Sequence, residues 1–167
     1  MSVALMLAGK RRSHLGFTLI ELLVTLTVAV ILATVAVPNF QSLLNSSRMA
    51  SDYNEVLLGI NFARSEAIKR RTPVRFEASS NGTWQYDVSV VGGELLRTRR
   101  GRDGRTSMNA GTVTFNALGR PENCVAGDDC VFSVQSKLSG AADRRIQVTT
   151  MGRAGKFYDT DSEEVEE

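Results

Sequence analysis

The 167-residue chain contains one histidine, His14, and two cysteines. Histidine is the commonest general base and the commonest metal ligand in proteins. His14 lies in a short leader before a long apolar segment, and we expect cleavage to remove this leader. Histidine-based catalysis is therefore excluded for the mature chain. Two cysteines without histidines do not make a zinc site.

Motifs typical of enzymes are also lacking. The chain has no nucleophile elbow, no phosphate-binding loop and no carboxylates at metal-ligand spacing. We therefore predict no catalytic residue, no metal, no cofactor and no enzymatic activity. The length allows one compact domain with a helical stalk, but no second domain.

Charge is nearly absent from residues 17–37, where Glu21 is the only ionisable side chain. A helix of about 20 apolar residues crosses the hydrocarbon core of a membrane, so this run is predicted to span one. The cations before it are Lys10, Arg11 and Arg12. This charge asymmetry favours keeping residues 1–16 in the cytoplasm and exporting everything after Pro38.

Glu21 is the anomaly of this apolar run. A carboxylate in a membrane helix costs roughly 2.5 to 3.5 kcal/mol on insertion scales, so it requires a partner. Cleavage after Gly16 would create an amine at Phe17, one helical turn from Glu21 and on the same face.

The pattern Gly16-Phe-Thr-Leu-Ile-Glu21 after basic residues resembles the N-terminal signal of type IV pilins and type II secretion pseudopilins. The resemblance implies that prepilin peptidase cuts between Gly16 and Phe17 and that Phe17 is N-methylated. It also implies that Glu21 pairs with the terminal amine of a neighbouring subunit during assembly. The implied partners are prepilin peptidase, other pilin or pseudopilin subunits and the bacterial inner membrane, with the head in the periplasm.

An ordinary secretory signal cut after Ala36 is the alternative interpretation. Its apolar core would be longer than the 7 to 15 residues typical of such signals, and Glu21 would have no role. Residues 2–8 are more apolar than a pilin leader usually is, so translation starting at Met6 is a further alternative.

Apolar residues recur at three- and four-residue steps beyond Pro38, which predicts an amphipathic helix ending before Thr72-Pro73. A helix from Phe17 to Arg71 would be roughly 80 Å long. We expect Pro38 to kink or locally melt it. The apolar stripe, expected to pack on the head, comprises Phe40, Leu43, Leu44, Met49, Tyr53, Val56, Leu57, Ile60, Ala63, Ala67 and Ile68.

Short β-branched and aromatic runs follow, which predict an α+β fold with an antiparallel β head. One face of the run containing Trp84, Tyr86 and Val88 should pack on the helix. Hairpin turns are expected at residues 80–82 and 92–93. The predicted strands are Val74–Ala78, Trp84–Val91, Glu94–Arg99, Thr112–Asn116, Val131–Gln135, Arg145–Thr150 and Lys156–Tyr158.

The chain is thus predicted to have five parts. They are a leader (1–16), a membrane-spanning half-helix (17–37), an amphipathic half-helix (38–71), the β head (72–158) and an acidic tail (159–167). Six acids in nine residues predict that the tail is disordered. Cys124 and Cys130 bracket a short polar loop, and in an oxidising periplasm we expect them to form a disulfide, with two inert thiols as the alternative.

Two segments of the head, Thr112–Pro121 and Arg145–Arg153, resemble the FimT/GspH group of minor pilins and pseudopilins. Each contains a glycine, Gly119 or Gly152, that is typical of a turn with positive φ. The resemblance implies a minor pilin of a type IV pilus, or a pseudopilin of a type II secretion system, in an initiating or tip complex.

The alternative function is capture of DNA for natural transformation. Some relatives bind DNA through a Gly-Arg-x-Arg loop. Here the corresponding residues are Gly152-Arg-Ala-Gly155, so Gly155 stands where the second arginine would be. The candidate phosphate contacts are Arg144, Arg145, Arg153 and Lys156. A second cluster lies at Arg97, Arg99, Arg100, Arg102 and Arg105, where a solvated, flexible hairpin loop without stacking aromatics is the simpler interpretation.

Overall fold

The computed structural model of the protein describes residues 17–80, 82–125 and 130–157. It divides the chain into two units, one ending at Asn39 and one beginning at Phe40. The cleavage residue Gly16, the middle of the predicted 80–82 turn and the acidic tail lie outside the described residues, so the expectations for them stay predictions.

The one helix of the described residues, α1, covers Leu19–Arg70. It ends at Arg70, and the next residue, Arg71, has a left-handed φ of 54° just before Thr72-Pro73. Helical structure continues through Pro38, so the expected local melting does not occur. Proline removes a single backbone hydrogen bond, and the Asn39 side-chain amide donates to the Val35 carbonyl at 3.1 Å in the adjoining turn.

The apolar stripe of α1 is only partly buried. The buried helix residues are Met49, Tyr53, Val56, Gly59, Ile60, Ala63, Glu66 and Ala67. Phe40, Leu43 and Leu44 are exposed, so the prediction that the whole stripe packs on the head is wrong for these three. Ile68 is half-exposed, but its side chain packs against Gly119 of the head. Before Met49, the helix reaches the head through polar groups instead: Ser42 and Asn45 donate to the carbonyls of Gly140 and Ser139.

Nine strands, all paired antiparallel, form two sheets in the described part of the head. Sheet A has the order β3-β2-β1-β5-β6, and sheet B has the order β4-β7-β8-β9. The strands are β1 Val74–Ser80, β2 Trp84–Val90, β3 Leu95–Arg100, β4 Thr106–Met108, β5 Gly111–Phe115, β6 Pro121–Val125, β7 Val131–Ser136, β8 Arg144–Val148 and β9 Ala154–Lys156.

Two of these strands, β4 and β6, were not predicted. The β4 segment is short and polar, and β6 begins at Pro121, a residue that usually interrupts strands. Both form because a partner strand supplies the pairing: Met108 lies opposite Val134 of the distant β7, and Cys124 opposite Val113 of the preceding β5. The last predicted strand, Lys156–Tyr158, is displaced toward the N-terminus and ends at Lys156.

The core lies between the helix face that begins at Met49 and both sheets. Trp84, Tyr86 and Val88 are buried in it, which confirms the predicted alternation of β2. The Tyr86 ring lies over Gly59 of the helix, where a Cβ atom would be 2.5 Å from Tyr86 Cζ. A glycine at this position therefore lets the helix approach β2 closely.

Candidate functional site

The helix of the first unit begins with a hydrogen-bonded cap. Thr18 Oγ1 accepts a hydrogen bond from the Glu21 N–H at 3.2 Å. The Thr18 carbonyl accepts one from the Leu22 N–H, also at 3.2 Å. Thr-x-x-Glu at a helix start is the capping-box pattern, which the sequence analysis missed although the signal is present in the letters. Glu21 thus also places a negative charge at the helix N-terminus, where the helix dipole favours it.

The apolar surface around Glu21 has no cover within the first unit. Phe17, Leu19, Ile20 and the large apolar residues that follow are exposed. Among the described residues this helix is the one long and apolar enough to cross a membrane, by length and composition. A helix that is apolar all round needs lipid or other apolar helices around it. This surface is therefore suited to a membrane or a helical assembly.

Cys124 and Cys130 form a disulfide in the structure, as the sequence predicted, with their Cα atoms 5.5 Å apart. Cys124 belongs to β6 of sheet A, and Cys130 directly precedes β7 of sheet B. The bond therefore ties the two sheets together.

Metal binding finds no support in the geometry. Within residues 17–80, 82–125 and 130–157, no three histidine, cysteine, aspartate or glutamate side chains are grouped so that they could hold an ion.

Two of the four candidate DNA-binding cations face opposite ways. Arg144 and Arg145 are neighbours in β8, and successive side chains of a strand point to opposite faces. The Arg144 guanidinium lies 5.7 Å from the ring centroid of Tyr53 on the helix side. That of Arg145 lies 4.4 Å from the ring centroid of Phe157. The structure therefore does not bring this pair into one phosphate-binding surface.

The other two candidates lie at the two ends of the edge strand β9. Arg153 is exposed in the turn before the strand, and its N–H donates to Thr149 Oγ1 at 3.2 Å. Lys156 is exposed at the end of the strand, opposite Ile146. Together with Arg145 of the neighbouring strand β8, Arg153 and Lys156 give three exposed cations near this edge of sheet B. They lie on different parts of β8 and β9 rather than in one cluster.

The two glycine-containing motifs form turns with the same hydrogen-bond pattern. In one, the Asn116 N–H donates to the Arg120 carbonyl and the Gly119 N–H to the Asn116 carbonyl. In the other, the Thr149 N–H donates to the Arg153 carbonyl and the Gly152 N–H to the Thr149 carbonyl. Gly119 and Gly152 have φ values of 73° and 78°, which confirms the prediction of positive φ.

Arg64 of α1 joins these two turns, a role that sequence reasoning missed. Its Nε donates to the Gly119 carbonyl at 3.1 Å, and its Nη2 donates to the Met151 carbonyl at 3.2 Å. In the sequence Arg64 resembles any other charged residue between apolar helix positions. The residue pattern alone gives no sign that two turns more than 50 positions away need a common donor.

The second cationic cluster lies partly in a strand. Arg97, Arg99 and Arg100 belong to β3, so the predicted strand is confirmed for Arg97 and Arg99, and the interpretation as a hairpin loop is wrong for these three of the five arginines. Arg97 Nη2 and Arg99 Nε each lie 3.4 Å from Glu55 Oε1, which anchors β3 to the helix.

Glu55 is also the acceptor for the buried Tyr86 hydroxyl, at 3.0 Å. Burial raises the pKa of the Tyr86 hydroxyl well above its usual range, and the hydrogen bond to Glu55 raises it further. Tyr86 therefore stays a neutral donor at physiological pH. One helix carboxylate thus connects the core to the cationic surface.

Arg48 of the helix joins this surface, which the sequence analysis did not anticipate. We call the group formed by Arg48, Arg99, Arg100, Arg102 and Arg105 the arginine cradle. Its members line two adjoining depressions that share Ser51, Asp52 and Arg102. The helix contributes Arg48 because residues 48, 51, 52 and 55 recur at helical spacing and lie on one face.

An apolar helix with a single carboxylate in its first turn, followed by a helix stretch on two antiparallel sheets, defines a pilin-type protein. Residues 11–37 match the prokaryotic N-terminal methylation motif. Residues 52–152 match the family described as type II transport protein GspH, and the chain belongs to that family.

The head also resembles solved structures. The crystal structure of the type IV minor pilin FimU of Pseudomonas aeruginosa strain PAO1 is similar, with a TM-score of 0.53 and 19% identity. The match covers 67% of this chain and 90% of that one. In a second crystal form of FimU the values are 0.48, 17%, 65% and 92%. No curated protein sequence matches the chain.

Proposed function

We propose that the chain is a subunit of a type IV pilus or type II secretion pseudopilus, in an initiating or tip complex. Prepilin peptidase cuts between Gly16 and Phe17 and methylates the new amine of Phe17. The apolar helix then holds the subunit in the inner membrane with its head in the periplasm. Assembly moves this helix from lipid into the apolar centre of a filament.

The observation that carries the proposal is the lone carboxylate of Glu21 on a fully exposed apolar helix. Outside water a charge is stable only when paired and hydrogen-bonded. Within the described residues, Thr18 caps the Glu21 backbone N–H, but no cation forms an ion pair with its carboxylate. A terminal amine from a neighbouring subunit would supply the missing charge.

The capping box and the charge pair make different predictions, so they can be separated. Glu21→Gln keeps a residue that serves in a capping box but loses the charge. Thr18→Val loses the cap but keeps the carboxylate. We expect Glu21→Gln to reduce incorporation into the filament at least about tenfold, since a broken pair in an apolar setting costs several kcal/mol. Thr18→Val should reduce it much less.

The experiment expresses each variant in cells that make the remaining subunits. Immunoblots measure the amount in sheared filaments against the amount in the inner membrane, and mass spectrometry measures the N-terminal residue. Normal incorporation of Glu21→Gln would contradict the role of the charge. An N-terminus other than methylated phenylalanine would contradict processing at Gly16.

DNA capture is the second candidate function. It is favoured by the three exposed cations Arg145, Arg153 and Lys156 at one edge of sheet B. Arg144, the fourth candidate, is half-buried against the helix and would contribute only at longer range.

A gel shift with double-stranded DNA tests this candidate on the full chain in detergent. Salt-sensitive binding that is lost in Arg153→Ala/Lys156→Ala supports uptake. Arg120→Ala/Arg75→Ala is the matched control, because both side chains are exposed cations elsewhere on the head. No binding at low salt would exclude DNA capture.

A further inference from the structure

The arginine cradle carries more positive charge than its surroundings balance. Six arginines, those of the cradle and Arg97, lie beside only three carboxylates, those of Asp52, Glu55 and Asp103, which leaves an excess of three positive charges on this surface. Asp52 accepts a hydrogen bond from Thr106 Oγ1, Glu55 is shared by Arg97, Arg99 and Tyr86, and Asp103 pairs with Arg105.

Three cradle arginines have no such partner. Within the ranges that the structure describes, no ion pair is formed by Arg48, Arg100 or Arg102. Guanidinium groups gathered without counter-ions repel one another, and they are the preferred donors for carboxylate and phosphate oxygens. The surface is thus suited to an anionic ligand.

A buried donor without an acceptor lies beside these arginines. Trp84 is 3% exposed, and its indole Nε1 has no hydrogen-bond partner in the described structure. Trp84 lines the same depression as Arg99, Arg100 and Arg102. A Cβ atom on Gly101 would lie 2.7 Å from Nε1, so the backbone of Gly101 packs closely against this donor. The indole therefore lies directly behind the arginine-lined surface, where its environment changes with what that surface binds.

The chain itself contains a matching anionic segment. Its last nine residues include six acids, Asp159, Asp161, Glu163, Glu164, Glu166 and Glu167. Carboxylates pair with guanidinium groups in two parallel hydrogen bonds. Nucleic acid fits this surface less well, because the cradle offers no exposed aromatic ring on which a base could stack.

The reach of this segment is sufficient. Strand β9, which precedes the C-terminal residues, is separated from β4 by two strands of sheet B. Strands are about 4.8 Å apart, so the distance across the sheet is about 14 Å. Arg105 directly precedes β4. Phe157 pairs with Arg145, which lies opposite Ser133, and Ser133 pairs with Asn109. Arg105 is therefore also four residues, about 13 Å, along the strand direction, and the total separation is about 19 Å. The ten residues after Phe157 extend to about 33 Å at most, which exceeds that distance.

We propose that the arginine cradle is a binding site for a carboxylate-rich peptide segment, and that its ligand is residues 159–167 of the same chain. The bound segment neutralises Arg48, Arg100 and Arg102 and places a carboxylate near the Trp84 indole. It also covers a basic surface that would otherwise attract polyanions. The proposal is independent of processing at Gly16 and of assembly through Glu21.

Trp84 is the only tryptophan in the chain, so its indole N–H gives a single NMR signal that reports on the site. The experiment uses the full chain, labelled with ¹⁵N, in detergent. One variant has a neutral C-terminal segment, with D159N, D161N, E163Q, E164Q, E166Q and E167Q. We expect its indole signal to differ from that of the wild type.

A synthetic peptide of residues 158–167 is then added to the neutral variant. The signal should move back to the wild-type position in a saturable manner, with an affinity that falls as salt is raised. The same peptide should leave the wild type unchanged, because a tethered segment is present at an effective concentration of about millimolar. Introducing the substitutions R48Q, R100Q and R102Q into the neutral variant should weaken its binding of the peptide about tenfold or more.

The control R71Q/R75Q/R120Q removes three exposed arginines outside the cradle and should leave peptide binding unchanged. An identical indole signal in the wild type and the neutral variant, with no response to peptide, would overturn the proposal. So would equal peptide binding after loss of the cradle arginines. A response to a short DNA duplex but not to the peptide would overturn it in favour of a nucleic-acid site.

Discussion

The carbonyl oxygen of Gly119 occupies the space in which a side chain on Gly152 would lie, so the two motif turns meet backbone to backbone. Arg64 holds both turns from the helix side. This contact explains the glycine at position 152, whereas a Cβ atom on Gly119, which also has a positive φ, would lie 2.7 Å from Ile68 Cδ1. At Gly152 the positive φ and the close approach act together.

Gly152→Ala should therefore destabilise the head strongly. A positive φ costs an alanine about 1 to 2 kcal/mol, and overpacking adds about 1 to 3 kcal/mol. We expect a loss of about 2 to 4 kcal/mol in the free energy of unfolding, measured by chemical denaturation. Gly92→Ala is the matched control, because Gly92 has a φ of 72° with nothing within 4 Å of an added Cβ. It should show only the conformational cost.

Gly59→Ala tests the contact between the helix and β2. Alanine normally stabilises a helix by about 1 kcal/mol relative to glycine. Here its Cβ would overlap the Tyr86 ring, and overpacking costs about 1 to 3 kcal/mol. We expect a net loss of up to about 2 kcal/mol in thermal or denaturant unfolding, whereas Ser47→Ala on the exposed helix surface should be neutral or slightly stabilising. A more stable Gly59→Ala would contradict the packing of Tyr86 on this glycine.

Glu66 predicts a specific dependence of stability on pH. It is buried, and its carboxylate accepts hydrogen bonds from Arg70 at 2.7 Å and Lys69 at 3.2 Å. The bond from Arg70 holds the pKa of Glu66 below its ordinary value, although burial acts in the opposite direction. Because the folded-state pKa is the lower one, this stabilisation is complete above the unfolded-state pKa and is lost as the pH falls through the folded-state pKa.

Glu66→Gln should accordingly lower the free energy of unfolding by about 1 kcal/mol at pH 7. The difference from the wild type should shrink as the pH is lowered below about 4. Denaturant titrations from pH 7 to pH 3 measure this convergence. Glu94→Gln is the control, because Glu94 pairs with the same arginine but is mostly exposed, and it should change little. Parallel pH profiles for the wild type and Glu66→Gln would refute the assignment.

The disulfide should stabilise the head by about 2 kcal/mol, the amount that chain-entropy arguments give for so short a closed loop. Cys124→Ala/Cys130→Ala should lower the melting temperature by several degrees, as should reduction of the wild type. A reductant should have no further effect on the double variant. Equal melting of oxidised and reduced wild type would show that the link between the sheets adds no stability.

The sequence predicted the features that depend on local chemistry. The helix is readable from apolar spacing and from Thr72-Pro73, the face of β2 from its alternation, and the turns at Gly119 and Gly152 from the need for positive φ. Each signal lies within a few residues of the structure that it predicts.

The remainder depends on partners distant in the sequence. Strand β4 forms because it pairs with β7, and Arg64 is important because two remote turns point their carbonyls at it. The gathering of Arg48 with the arginines of β3 requires the helix to lie against that edge of sheet A. Amphipathic spacing alone cannot distinguish a helix face that the sheets cover from one that they leave exposed. For this reason the whole stripe was predicted to pack on the head.

The exposed start of that stripe and its buried continuation are under different constraints, although they belong to one helix. Phe40, Leu43 and Leu44 contribute no side chain to the head's interior, so substitutions there leave folding intact and act only on what the subunit touches. From Met49 onward, the same helix is constrained by the sheets. Specificity for neighbours can therefore diverge in the earlier turns while the head itself is preserved.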